Sequence, residues 1–157
     1  MTNNDVLRRI RYAFDFNDTK MIAIFALADS IVSREEISDW LKKDDDPAYQ
    51  TINDRSLATF LNGLIIDKRG KKDGPQPEPE SRLNHNIVLK KMKIALNLQA
   101  EDMLEVMSSA DFRMSKHELS AFFRKPEHKH YRECKDQILR HFLKGVQIKY
   151  RGPIDEA

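Results

Sequence analysis

Cysteine is almost missing from this chain. Its one residue of that type, Cys134, excludes an internal disulfide framework and makes the cytoplasm the expected compartment. Glycine is scarce as well, with five in 157 residues. There is no Gly-rich phosphate loop, no Gly-x-Ser-x-Gly elbow and no dinucleotide fingerprint, so turns that cradle a cofactor have little material and no cofactor is expected. No apolar run approaches the ~20 residues of a membrane span, and no signal peptide fits the polar segment at the N-terminus. Neither sign of charge dominates, because 27 basic and 25 acidic side chains leave a net charge of +2. No global field therefore directs the protein to nucleic acid or to a membrane.

What the chain has in abundance is a copy of itself. Residues 4–70 recur as residues 86–152 with no insertion or deletion, at the offset of 82 that separates Asn4 from Asn86. The offset pairs Val6-Leu7 with Val88-Leu89, Ala28-Asp29 with Ala110-Asp111, and Ser33 and Glu36 with Ser115 and Glu118. Further on it pairs Phe60, Leu61 and Gly63 with Phe142, Leu143 and Gly145, and Arg69-Gly70 with Arg151-Gly152. Residues 1–70 form a first unit, 71–81 a proline-rich linker, 82–152 a second unit and 153–157 a tail. A unit of this size alone buries barely enough surface to fold, so the two are expected to lean on each other.

Each unit reads as four short helices, which makes the fold class all-α. In the first helix Val6, Leu7, Ile10, Ala13 and Phe14 share one face, answered by Val88, Leu89, Met92, Ala95 and Leu96. Asn4 and Asn86 stand where an N-cap would accept an amide hydrogen bond. The second helix is apolar almost all round, with Met21, Ile22 and Phe25 matched by Met103, Leu104 and Met107. A capping box, Ser33 to Glu36 and again Ser115 to Glu118, opens the third. It is expected to run to the Asp44-Asp45-Asp46-Pro47 string in one unit and to Lys125-Pro126 in the other, since proline cannot continue a helix. The fourth carries Leu57, Phe60, Leu61 and Leu64, with Gly63 and Gly145 at matching mid-helix positions. A glycine there costs ~1 kcal/mol against alanine, so close approach of a neighbouring helix is the expected compensation.

Two positions break the amphipathic pattern in both units. Tyr12 and Ile94 fall on the polar face of the first helix, and Ile66 and Ile148 lie opposite the apolar stripe of the last. Repetition marks them as a second buried surface, and a pseudo-twofold docking of unit on unit, with Ile66, Ile148, Gly63 and Gly145 in the contact, would bury equivalent residues from both sides.

Candidate chemistry is thin. Arg8, Arg9 and Arg11 on one first helix and Lys90, Lys91 and Lys93 on the other, with Tyr12 to stack on bases and Lys68, Arg69, Lys71 and Lys72 nearby in the chain, are the pattern of a nucleic-acid contact. In a chain that is one-third charged, a solvated helix face is the reading preferred. His128, His130 and Cys134 allow a metal site to be drawn with His130 and Cys134 four apart on one helical face. The first unit has Ala48 and Ile52 at the places of His130 and Cys134, and no paired Cys-x-x-Cys is present, so no metal is expected and surface histidines with a buried thiol are the reading preferred. The aspartate run lacks the glycine and terminal glutamate of a calcium loop. No nucleophile, base and oxyanion hole stand together in the pattern, so no enzyme is expected.

The strings Asn3-Asn4-Asp5-Val6-Leu7-Arg8-Arg9-Ile10-Arg11-Tyr12, Phe60-Leu61-Asn62-Gly63-Leu64-Ile65, Asn86-Ile87-Val88-Leu89-Lys90-Lys91 and Tyr131-Arg132-Glu133-Cys134 resemble the bacterial YehS-like family. The resemblance covers essentially the whole chain. It implies a bacterial cytoplasmic protein built as a tandem pair of a small helical domain of unknown function, and it carries over no ligand and no catalytic residue. The expectation is a non-catalytic interaction module with a protein partner, as a monomer or a homodimer, with nucleic acid as the alternative partner.

Overall fold

The structure, a computed structural model, describes residues 1–152; the tail at 153–157 lies outside the described residues. Eight helices follow one another: α1 Asn3–Phe14, α2 Asp18–Leu27, α3 Arg34–Leu41 and α4 Asp54–Arg69, then α5 His85–Ala95, α6 Ala100–Ser109, α7 Lys116–Ala121 and α8 Asp136–Tyr150. No strand occurs among the described residues. The fold is therefore all-α, with two tandem units of four helices packed on each other and one continuous apolar core running through both.

Local chemistry sets most helix ends. Both capping boxes close as the spacing requires: the Glu36 amide donates to Ser33 Oγ and the Ser33 amide to Glu36 Oε1, each at 3.0 Å, and Ser115 with Glu118 repeats the pair at the same distances. The third helices stop sooner than proline alone would demand, at Leu41 and Ala121. Backbone in the left-handed region ends the first and second helices of both units, at Asp15 and Asn97 and at Asp29 and Asp111. Aspartate and asparagine tolerate that conformation better than other side chains that carry a Cβ.

Asn4 and Asn86 are not caps. Thr2 and Asn84 cap these helices, which places the two asparagines inside, buried and facing the loop that joins the third helix to the fourth. Asn4 Nδ2 donates to the carbonyls of Trp40 and Gln50 at 2.9 and 2.8 Å, and its Oδ1 accepts from the Ile52 amide at 3.2 Å. Asn86 repeats all three bonds with Phe122, Arg132 and Cys134, the residues 82 further on. A carboxamide offers two donors and an acceptor, so one side chain satisfies three backbone groups that a buried loop would leave orphaned.

Within each unit the second helix packs on the fourth, and here the glycines explain themselves. A Cβ added to Gly63 would lie 2.0 Å from the Ile24 carbonyl oxygen, and one on Gly145 would lie 2.0 Å from that of Val106, the equivalent residue. Close approach is thus the reason for the glycines, but the approaching helix belongs to the same unit. Gly63 and Gly145 are accordingly removed from the surface between units.

That surface is formed by α1 on α8 and by α5 on α4. The two contacts are the same contact, exchanged by the offset of 82. With α1 on α4 and α5 on α8 added, the four helices make a central bundle, and α2–α3 and α6–α7 flank it. All four run in one direction. At one end Asp54 Oδ1 accepts from Asn3 Nδ2 at 2.7 Å and Asp136 stands 3.4 Å from His85 Nδ1, so the N-termini gather. At the other, Lys68, Phe14 and Tyr150 meet, so the C-termini gather.

Bonds across the seam come in exchanged pairs. Arg151 Nη1 donates to the Tyr12 carbonyl at 2.7 Å, and Arg69 Nη1 to the Ile94 carbonyl at 2.9 Å. The Met1 amino group donates to Asp136 at 2.6 Å, and the Leu83 amide to Asp54 at 2.9 Å. Ile66 lies on α4 between Asn62, which accepts from Lys91 of α5 at 2.5 Å, and Arg69. Helical spacing sets these three residues on one stripe facing α5. Ile66 and its equivalent Ile148 are half-buried.

Candidate binding surfaces

Four parallel helices add their dipoles instead of cancelling them, giving one end of the bundle a positive field and the other a negative one. The side chains answer this. Asp5, Asp54 and Asp136 occupy first turns of α1, α4 and α8, while Arg11, Lys68 with Arg69, Lys93 and Lys149 occupy last turns of α1, α4, α5 and α8. Hydrogen bonds from Asn3 and then from the Leu83 amide hold the Asp54 carboxyl below the ordinary carboxylate range. Those from the Met1 amino group, helped by His85 and Arg140, do the same for Asp136.

At the C-terminal end an open groove of about 380 Å³ is lined by Lys68, Arg69, Ala95, Leu96, Asn97 and Tyr150. The place related to it by the pseudo-twofold axis carries an aromatic ring instead. There Phe14 stands where the groove has Leu96, 5.2 Å from the Tyr150 ring centroid and with the Lys68 ammonium 4.5 Å from its own. Arg151, the equivalent of Arg69, is 3.4 Å from Asp15 and 4.0 Å from the Tyr12 ring centroid. On the groove side Asn97 and Ile94 replace that carboxylate and that ring.

The basic residues of the first helices are dispersed. Arg8 pairs with Asp5 at 3.2 Å and donates to the Lys42 carbonyl. Lys91 is turned into the seam between Asn62 and Glu80, whose Oε1 stands 2.9 Å away, near enough for an ion pair but not aligned for a hydrogen bond. Lys93 sits 5.7 Å from the Phe123 ring centroid. Arg9 and Arg11 are half-buried, the latter with its Nε enclosed and unbonded among the described residues, while Lys90 is exposed. Tyr12 and Ile94 keep 38% and 37% of their surface; the seam uses the carbonyls of both, and the ring of Tyr12 under Arg151.

Residues 122–135 are not helical, so His130 and Cys134 share no helical face. His128 Nδ1 accepts from the His130 amide at 3.0 Å on an exposed turn, whereas Cys134 is buried with its amide on Asn86. No three of His, Cys, Asp and Glu group as metal ligands would among the described residues. Burial pushes the Cys134 thiol up to about 12. It lines a second cavity of about 290 Å³ at the N-terminal end, where Met1, Val6, Leu83 and Val88 meet around the pseudo-axis.

One surface escaped the sequence reading. Leu27, the last residue of α2, is 39% exposed with Ala23 and Ala26 open beside it on the outer side of that helix, and Ile31, in the loop that follows the left-handed Asp29, is 97% exposed. The equivalent residues in the second unit are Glu105, Ser108, Ser109 and Arg113, all polar and exposed. Aligning the copies for what differs, in place of what agrees, would have found it.

The fold and the seam define a class: an all-α protein made by tandem duplication, whose halves share a pseudo-symmetric bundle. The chain belongs to the family described as a protein of unknown function (DUF1456), which matches it twice, over residues 3–70 and 85–152. It is similar to the uncharacterized protein YehS of Escherichia coli (strain K12), with 45% identity over 150 residues that cover 95% of this chain and 96% of that protein. No solved structure matches it. No helix among the described residues is long and apolar enough to cross a membrane.

Proposed function

We propose that this protein is a non-catalytic interaction module that docks a partner protein on the outer side of α2. The observation that carries the reading is the difference between the units. Single exposed apolar residues mean little, but here Ala23, Ala26 and Leu27 share the outer side of α2 and Ile31 is exposed on the loop after it, where the second unit carries Glu105, Ser108, Ser109 and Arg113. The fold does not require apolar residues there, and contiguous exposed apolar surface costs solubility unless something covers it. The titratable groups support binding over catalysis: the lowered carboxyls are held by caps and ion pairs, and the Cys134 thiol is kept protonated. A single free, buried thiol suits the cytoplasm.

The twin supplies the test. Leu27→Ser with Ile31→Arg installs the second unit's own residues and is expected to leave the fold intact. Proteins retained from a bacterial extract by the native protein and by this variant are compared by mass spectrometry, with sedimentation run alongside. A protein retained by the native chain and lost from the variant supports the reading. Identical retention by both, or a native dimer that the variant abolishes, refutes it.

A further inference from the structure

We propose that the groove at the C-terminal end of the bundle binds a nucleotide, with the base lying on Leu96 against Tyr150 and the phosphate on Lys68 and Arg69. The inference is independent of the α2 surface and rests on the protein's own symmetry. A duplicated seam predicts two identical ends, and one of them is closed by an aromatic ring from the chain itself. Phe14 fills its half by packing on Tyr150 under the Lys68 ammonium. In the other half Leu96 is too small to do so, and about 380 Å³ stays open, within the range of small-ligand sites. The ring absent from that half is the first thing a ligand there would supply.

The second is negative charge. Arg151 has the Asp15 carboxylate at 3.4 Å. Arg69 has Asn97 at the equivalent place, and neither Lys68 nor Arg69 has a carboxylate partner among the described residues. Two cations without a carboxylate partner among the described residues, beside an open apolar floor and an aromatic wall, favour a planar ring that carries an anion. The negative field of the gathered helix C-termini opposes a phosphate here, and the carbonyls nearest the two cations are already engaged. The Ile94 and Ile66 carbonyls, which would repel a phosphate, are occupied by Arg69, by the Asn97 amide and by the Gly70 amide. Asn97 lines the groove, and a carboxamide has a donor and an acceptor for the edge of a base.

The experiment is calorimetric titration of the full chain with adenosine monophosphate, with adenosine, with inorganic phosphate and with a short oligodeoxyadenylate with or without a 5′-phosphate. Adenosine monophosphate is expected to bind, at least about tenfold tighter than either fragment, because ring and phosphate engage together. Binding of the free nucleotide alone identifies a small-molecule site; binding of the phosphorylated strand as well identifies a strand end, and either supports the proposal. Leu96→Phe reproduces the closed half and is expected to abolish binding, and Asn97→Asp, which restores the twin's carboxylate beside Arg69, to weaken it about tenfold. Far-UV circular dichroism establishes that both variants are folded, and two variants guard against the failure of one. No binding of adenosine monophosphate, phosphate binding as tight as the nucleotide's, or unchanged binding in both folded variants overturns the proposal.

Discussion

Replacing Gly63 by alanine tests the packing at its tightest point, because two effects of opposite sign compete there. A glycine inside an exposed helix that met nothing would gain about 1 kcal/mol on becoming alanine. Here the new Cβ would lie 2.0 Å from the Ile24 carbonyl oxygen and 2.9 Å from its carbon, against an ordinary contact of about 3.4 Å. Because the obstacle is backbone, α2 and α4 must part by about 1.4 Å to restore that contact. Overpacking of this kind costs about 3 kcal/mol, at the upper end of its usual range. The net loss is then about 2 kcal/mol, or a melting temperature lower by about 4–8 °C for a chain of this length. Urea and thermal unfolding followed at 222 nm measure it. Gly145→Ala is expected to behave alike against Val106, and the two losses to add, because the glycines share no partner. Stabilisation by either alanine would refute the reasoning, for it would mean that no helix stands where the carbonyl has been placed.

Asn4→Asp keeps the acceptor for the Ile52 amide but sets a charge against the Trp40 and Gln50 carbonyls; a loss of about 3 kcal/mol or more is expected, and a variant as stable as the native chain would remove Asn4 from its role as the loop's anchor. Cys134, with its thiol near 12, is expected to resist thiol reagents in the folded state at pH 8 and to react at once in denaturant. Since its folded pKa lies above the ordinary thiol value of 9.0, the stability linked to it is complete below pH 9 and falls as pH rises toward 12. Cys134→Ile, the first unit's residue at that place, is expected to remove this alkaline decline. For Asp54 and Asp136 the sign is reversed, because their folded values lie below the ordinary one. Their contribution is present above about pH 4 and lost as pH falls below it, and Asp54→Asn is expected to shallow the acid limb of a stability-against-pH curve.

Local signals carried the elements. Ser33 and Ser115 opened helices where the capping box said they would, because that device involves only residues three apart. Gly63 announced a close approach but not by what, since a glycine's sequence neighbours do not reveal which helix crosses it. Asn4 was misread because an asparagine near a helix start is the usual cap, and only the folded loop shows that it has three better partners. The groove was harder still. Lys68 and Arg69 are visible as a basic pair, yet their meaning depends on Leu96 and Tyr150, brought beside them by the seam.

From the order of residues alone came the all-α class, the duplication and the helix starts, because periodicity, caps and repeats are properties of neighbouring positions. Which copy keeps a ring at the end of the bundle and which leaves a space, and whether Cys134 is a ligand or a buried thiol, were decided only when α1 met α8 and α5 met α4. The physical reason is that burial and charge compensation are sums over everything within a few ångströms, and the chain brings those neighbours from far along its length, 25 residues between Arg69 and Ile94 and 139 between Arg151 and Tyr12.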